Sequence, residues 1–453
     1  MLSSSIILAL SLGIASGGSL SYAASALEQL RSQTAGATAP GSEAKAAPLS
    51  IAGSPVSGRV TGIGISHSGD PHDIPDFSPP EMAKLMRELG ATHYRPHLPL
   101  NEPIKEISPE QWESLRQAQD DPALLEAMVD DLAKNGDWGK MDALVDAFSG
   151  QGIKLILVVG AAYVKECPLY TAADGTRRPI SPDSLGRPLY LAAMRWLAGA
   201  GVRRYSDRVS YWQIENELNA AASVAQFVKW RVNEPSWKNL AFLKDLLQTL
   251  GDVVHEEGRS SGRELKTVHN FLCGLPWAPW QGLVSRKKIL APSQAPSHSP
   301  VAKSRQDPLD IIGIDSYSNY YLGVPAMGRG LDKHVRDAVS ASGGRPVWVL
   351  ETGFPRGPRM RGFSEERQAK YFSEMFDEAY KSGASLALAF GWFWNPNGWY
   401  TDRSGSLPWW HPQAGEQYWS PIETRSGPDG SKQRRFAPAW GEFQRAAERW
   451  SGR

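Results

Sequence analysis

Two acidic positions close apolar, β-like runs in this sequence. Glu215-Asn216-Glu217 follows VSYWQI, and Glu351 follows VWVL, 134 residues beyond Glu217 (351 − 217). A carboxylate at the end of an apolar strand is costly unless it is paired or used. Two such groups facing each other suit acid–base and nucleophilic work on a glycosidic bond. Metal ligation would call for His or Asp in close spacing, and the chain has no HxH, no HExxH and no Asp-rich loop. Period-two alternation puts Glu215 and Glu217 on one face, so either fits the role of acid, with Glu217 preferred. Glu351 has a plainer reading as a structural partner of Arg95. His67, His97 and His269 fall near strand ends, where a histidine either binds a sugar hydroxyl or is a satisfied structural group.

These groups need a scaffold, and the pattern supplies one. From residue 58 onward, eight short β-rich runs (60–66, 92–98, 154–160, 209–217, 266–273, 311–317, 347–352 and 386–394) alternate with amphipathic stretches. Helices are expected at 80–90, 139–152, 187–200, 237–257, 330–343, 364–383 and 438–450, with apolar positions recurring at three and four. Gly90, Gly152 and Gly383 stand where a helix C-cap precedes a strand. Strands apolar throughout, separated by helices, make a parallel sheet covered by helices. The expected fold class is α/β, a (β/α)8 TIM barrel with long loops after strands two (101–136), five (274–308) and eight (395–435). An open doubly wound sheet is the competing architecture, but GIGISHSG (62–69) is no G-x-G-x-x-G phosphate turn.

The chain has 453 residues with 17 Trp, where average usage gives about 6. Trp277, Trp280, Trp394, Trp399, Trp409, Trp410 and Trp419 fall in the loops after strands five and eight, either as stacking platforms for sugar rings or as loop anchors. Forty-nine Lys and Arg against 48 Asp and Glu leave a net charge of +1, which argues against a nucleic-acid partner. Residues 6–14 form a short apolar stretch, and Ala24-Ser25-Ala26 gives a cleavage pattern, so 1–26 reads as a signal peptide although no Lys or Arg precedes the apolar run. Residues 27–57 have the Ala, Gly, Ser and Pro content of a linker, and 58–453 is the expected catalytic domain. No internal run is long enough to span a bilayer. The expected location is secreted or periplasmic, and the expected state a monomer. Cys167 and Cys273 are either one disulfide or two half-buried thiols.

YWQIENELN (211–219) followed by VWVLETGFP (347–355) resembles the retaining glycoside hydrolases of clan A. That resemblance implies a (β/α)8 barrel, an acid/base at Glu217 after strand four and a nucleophile at Glu351 after strand seven. Arg95 in THYRPHLPL and Tyr317 in IIGIDSYSNYY stand where clan members contact the nucleophile. Asn216 matches the asparagine that binds the sugar 2-hydroxyl, and Trp394 stands near the tryptophan under the sugar at the cleavage point. Features of the endo-galactanase, cellulase-like and β-xylosidase-like families occur together. Three positions depart from the clan pattern: no Pro follows Asn216-Glu217, Glu215 stands where many members carry Trp or Gly, and Asp315 replaces a histidine. The implied activity is hydrolysis of β-glycosidic bonds in a polysaccharide or oligosaccharide by double displacement, with no cofactor and no metal. A transglycosylase with the same residues and a non-catalytic carbohydrate-binding barrel are the alternatives. Trp277, Trp280, His97 and His269 complete the expected substrate-binding set.

Overall fold

The computed structural model describes residues 61–67, 77–160, 167–172, 174–219, 235–273, 307–317, 330–393, 418–426 and 432–450. Parallel strands close into an eight-stranded barrel. They are β1 (Gly62–Ser66), β2 (His93–Arg95), β3 (Lys154–Val159), β4 (Tyr211–Ile214), β5 (Lys266–Cys273), β6 (Ile311–Ser316), β7 (Val347–Thr352) and β8 (Ala384–Phe390). Neighbours in sequence pair, and β8 returns to β1 with Gly62 beside Leu386 and Ser66 beside Phe390. The barrel, and not the open sheet, is the architecture.

Among the described residues the longer helices are α1 (Pro79–Leu89), α2 (Pro109–Ala118), α3 (Pro122–Asn135), α4 (Gly139–Gly150), α5 (Arg187–Tyr205), α6 (Leu240–Ser261), α7 (Leu331–Ala341), α8 (Glu365–Lys381) and α9 (Ala439–Trp450). Their ends are set by local chemistry. Gly90 follows α1 with φ 81°, and the expected caps Gly152 and Gly383 also take positive φ, 71° and 107°. Asn239 accepts from Phe242 N at 3.1 Å to start α6, and Ser364 accepts from Arg367 N at 3.2 Å to start α8.

The insertion after β2 holds α2 and α3, which periodicity had not separated from loop. Both start with a cap followed by proline: Ser108, in a capping box with Gln111, and Asp121, which accepts from Ala123 N and Leu124 N. A long connection also follows β3, and part of it, Leu169–Thr171 and Arg177–Pro179, joins Glu106–Ile107 in a three-stranded sheet. Residues 1–57, and Trp277, Trp280, Trp394, Trp399, Trp409 and Trp410 with most of the loops after β5 and β8, lie outside the described residues. Among the described residues no helix is long and apolar enough to cross a membrane. Cys167 is buried and Cys273 half-buried, both as thiols, and Cys273 Sγ donates to Phe271 O at 3.5 Å.

Two apolar layers alternate along each strand. Ile156, Val268, Ile311, Trp348, Leu350, Leu386 and Leu388 fill the barrel interior, while Val347, Val349, Ile312 and Ile314 face the helices. Gly313 makes room for this packing, since a Cβ there would stand 2.6 Å from Leu350 Cδ1. Above this plug the inward residues become polar, at the C-terminal ends of the strands, where barrel enzymes place their sites.

Candidate active site

Arg95 ends β2 with its guanidinium fully buried in the barrel mouth. Nη1 donates to Glu351 Oε1 at 2.6 Å and to Ser66 Oγ at 2.7 Å, Nη2 to Asn216 Oδ1 at 2.6 Å, and Nε to Gln213 Oε1. One side chain thereby ties together residues from β1, β2, β4 and β7. The ion pair with Glu351 is buried on both sides, so its geometry is fixed by the surrounding bonds and not by charge alone. Tyr317 OH donates to the other oxygen of Glu351, Oε2. Burial, then the charge of Glu351, holds the Tyr317 phenol well above its ordinary range, so it stays a donor.

Glu351 reaches the mouth through a backbone irregularity. Trp348 and Leu350 point into the barrel, so strict alternation would turn Glu351 outward toward the helices. The register between β6 and β7 shifts there: Val349 pairs with Ile314, and Glu351 with Asp315. Two residues on β7 oppose one on β6, and that bulge re-aims Glu351 inward. Thr352 then faces out, and its Oγ1 bonds Tyr371 OH on α8.

On β4 the regular strand ends at Ile214, earlier than the expected 217. Glu215 and Glu217 both adopt left-handed backbone, φ 59° and 45°, which costs of order 1–3 kcal/mol per residue. The extended backbone on which the alternation argument rests therefore stops at Ile214. Glu215 lies against the end of β3, where a Cβ on Gly160 would come 2.5 Å from its carboxyl carbon. Glu217 points toward Glu351. The segment is held by amide side chains. Glu217 N donates to Asn270 Oδ1 at 3.1 Å, and Asn219 makes a two-bond clasp with the Leu272 backbone, Nδ2 to O at 2.9 Å and N to Oδ1 at 3.0 Å. Asn216 Oδ1 accepts from Arg95, Asn270 and Gln213, which fixes how its amide is turned.

An oxygen of Glu217, one of Asp315 and one of Glu351 lie within 4.8 Å of one another, and all three residues are buried. Burial, then the charge of Glu351, raises the Glu217 carboxyl to about 8, against the opposing pull of its contact with Asp315 and of Arg95. At neutral pH Glu217 is therefore an acid with a proton to give. The three oxygens are near enough to share a divalent cation, but the Arg95 guanidinium already holds Glu351 Oε1, so the set fits a guanidinium with shared protons and not a metal.

Other sequence-predicted residues divide. His97 is buried just beyond β2, bridged to Val158. His269 is corrected: it faces away from the mouth, because Val268 and Asn270 take the inward positions on β5. Its Nδ1 donates to Ile214 O at 2.8 Å, and burial lowers its ring to about 4. Asn270, its neighbour, is the residue that reaches the cluster, with Gln213 donating to it at 2.7 Å. Trp419 takes the loop-anchoring role, buried against Tyr317 and Phe390 at 5.6 Å between ring centroids. Gln213, Asn219 and Asn270 had not been singled out. Their one signal in the sequence is a polar residue at or near the end of an otherwise apolar run.

No family model matches this sequence, and no curated protein does. Solved structures do. The β-glycosidase from Thermosphaera aggregans aligns over 86% of this chain and 96% of its own, with TM-score 0.53 and 12% identity. The β-glucosidase from Pyrococcus furiosus aligns over 86% and 95%, with TM-score 0.52 and 12% identity. The exo-β-1,4-mannosidase Op5Man5 from Opitutaceae bacterium strain TAV5 aligns over 86% and 60%, with TM-score 0.52 and 14% identity. At such identities the likeness is one of fold, and the chain shares the eight-stranded (β/α)8 barrel of these glycosidases.

Proposed function

We propose that this protein is an exported retaining glycoside hydrolase acting on β-linked saccharides, with Glu351 as nucleophile and Glu217 as acid/base. The observation that carries this reading is the placement of two buried carboxyls with oxygens within 4.8 Å. Oxygens that close favour the roughly 5–5.5 Å carboxyl separation of retaining enzymes over the roughly 6.5–9.5 Å that leaves room for an attacking water. The contrast between the two groups supports it. Glu351 is held by a guanidinium, whereas Glu217 is kept protonated by burial. Fold neighbours named as glycosidases give further support.

In the first step a Glu351 oxygen supplies the electron pair for a new bond to the anomeric carbon. The bond from that carbon to the glycosidic oxygen breaks, and its electrons take the Glu217 proton. Arg95 and Tyr317 hold Glu351 in line for attack, and they stabilise it again when it leaves. In the second step the Glu217 carboxylate takes a proton from water, the hydroxyl attacks the same carbon, and Glu351 departs as carboxylate. Two inversions restore the starting configuration. Asn216, its amide fixed by three donors including the Arg95 that holds Glu351, is the residue to receive the sugar 2-hydroxyl.

The test is a screen of the protein on β-glucans, mannans, galactans, xylans and aryl β-glycosides, with the first-formed anomer followed by proton NMR. Release of a β-anomer before mutarotation supports the reading, and an α-anomer as first product contradicts it.

A further inference from the structure

Asp315 has no part in the scheme above, yet it sits in the centre of it. Alternation along β6 sends Asp315 inward and Ser316 outward, where Ser316 Oγ meets His334 Nδ1 on α7 at 2.8 Å. Asp315 is fully buried. Its Oδ2 accepts from Asn270 Nδ2, its buried Oδ1 has no partner among the described residues, and an oxygen of Glu217 lies within 4.8 Å of its carboxyl. The charged and titratable groups facing it are Glu217 from the segment after β4, Glu351 from β7, Arg95 from β2 and Tyr317 from the end of β6. Arg95 is the one fully buried Lys or Arg among the described residues, and it is bonded to Glu351. One positive charge against three buried carboxyls cannot hold all three ionised, because each uncompensated charge carries a desolvation cost.

Two buried carboxyls this close need a proton between them, since two carboxylates offer only acceptors. Asn270 decides where Asp315 can direct its own. Its amide donates to Oδ2, which leaves the other oxygen, Oδ1, as the one able to carry hydrogen toward Glu217. Resting on the retaining reading above, we propose that Asp315 is a positioning residue for the acid/base: a neutral carboxylic acid, oriented by Asn270, that donates a hydrogen bond to Glu217. When Glu217 gives its proton to the leaving oxygen, the carboxylate left behind accepts the Asp315 O–H. No proton is gained or lost by the pair beyond the one transferred. Water then returns a proton to Glu217 in the second step, with Asp315 unchanged. The direction of the Asp315 titration agrees: burial first, then Glu351 and Glu217, hold it well above the carboxylate range.

Asparagine is the isostere of this neutral acid, with its carbonyl toward Asn270 and its amide toward Glu217, while leucine keeps bulk and loses the donor. The first measurement needs no substrate. Infrared difference titration of the intact protein, pH 6 to 10, follows the protonated-carboxyl band; Asp315→Asn should lose part of the wild-type amplitude present at pH 7. An unchanged amplitude means Asp315 is ionised, and overturns the proposal. The second measurement uses aryl and alkyl β-glycosides that the screen finds active. Asp315→Asn should lower kcat by less than about tenfold, and Asp315→Leu by about 100-fold or more. Only Asp315→Leu should move the alkaline limb of kcat/KM upward, by about one pH unit, because the Glu217 carboxylate has lost its donor. Equal losses in both variants with the limb unmoved would also overturn it. If the infrared band behaves as expected and no glycoside is cleaved, the neutral Asp315 stands and the glycosidase reading falls.

Discussion

The two oxygens of Glu351 are bound by different donors, Arg95 on one and Tyr317 on the other, so its loss removes charge without removing bulk if the replacement is glutamine. Glu351→Gln is expected to lower kcat by at least about 10³-fold with an unchanged circular dichroism spectrum. Near-normal turnover in the folded variant would remove Glu351 from the mechanism. Glu217 carries a different expectation because it acts twice. Glu217→Ala should still be glycosylated by aryl glycosides with good leaving groups, then stall for want of a base. Azide should restore turnover with a β-glycosyl azide as product. Glu215→Ala should show no such rescue, since Glu215 is turned toward Gly160 at the end of β3. Rescue of Glu215→Ala and not of Glu217→Ala would exchange the two roles. The raised Glu217 carboxyl further sets the alkaline limb of kcat/KM near pH 8, as the acid loses its proton in the free enzyme.

At the level of elements, two backbone irregularities aim the two carboxyls: the bulge that turns Glu351 inward on β7, and the paired left-handed residues after β4. The second depends on the clasp between Asn219 and the Leu272 backbone. Asn219→Ala removes both bonds and leaves a half-buried backbone N–H and C=O unpaired. It should cost about 1–3 kcal/mol in urea unfolding. It should also lower kcat on poor leaving groups more than on good ones, because the acid loses its position. A purely structural clasp would lower both equally. Here the limits of the sequence are concrete. The strands, most helices and their Gly caps were legible because alternation, periodicity and capping are local. That Glu217, Glu351, Arg95 and Tyr317 meet was legible because the first two and Tyr317 end apolar runs and all four fit a known pattern. Gln213 and Asn270 were not, because their worth comes from meeting Arg95 and Asp315 across four strands. That meeting height is set by barrel stagger, which no local window contains. The end of β4 was placed too late for a related reason: alternation holds only while the backbone stays extended, and that stops at Ile214.

For the molecule as a whole, the buried acids should be felt in stability. The Glu217 carboxyl, ordinary when unfolded and raised to about 8 when folded, binds its proton more tightly in the native state. Its contribution is fully present below the unfolded value and is lost as pH rises toward 8. Glu217→Gln, which cannot ionise, should therefore gain Tm relative to wild type between pH 5 and 8 and hold that gain above. A difference that does not change with pH would mean that Glu217 titrates normally. The mechanism itself is tested most directly by mass spectrometry of Glu217→Ala after brief reaction with an activated aryl β-glycoside of the sugar that the substrate screen selects. A single glycosyl increment on the intact chain, mapped by peptic digestion to the peptide holding Glu351, is the predicted result. An increment on any other residue, or none while the wild type releases an inverted product, would contradict the double-displacement account.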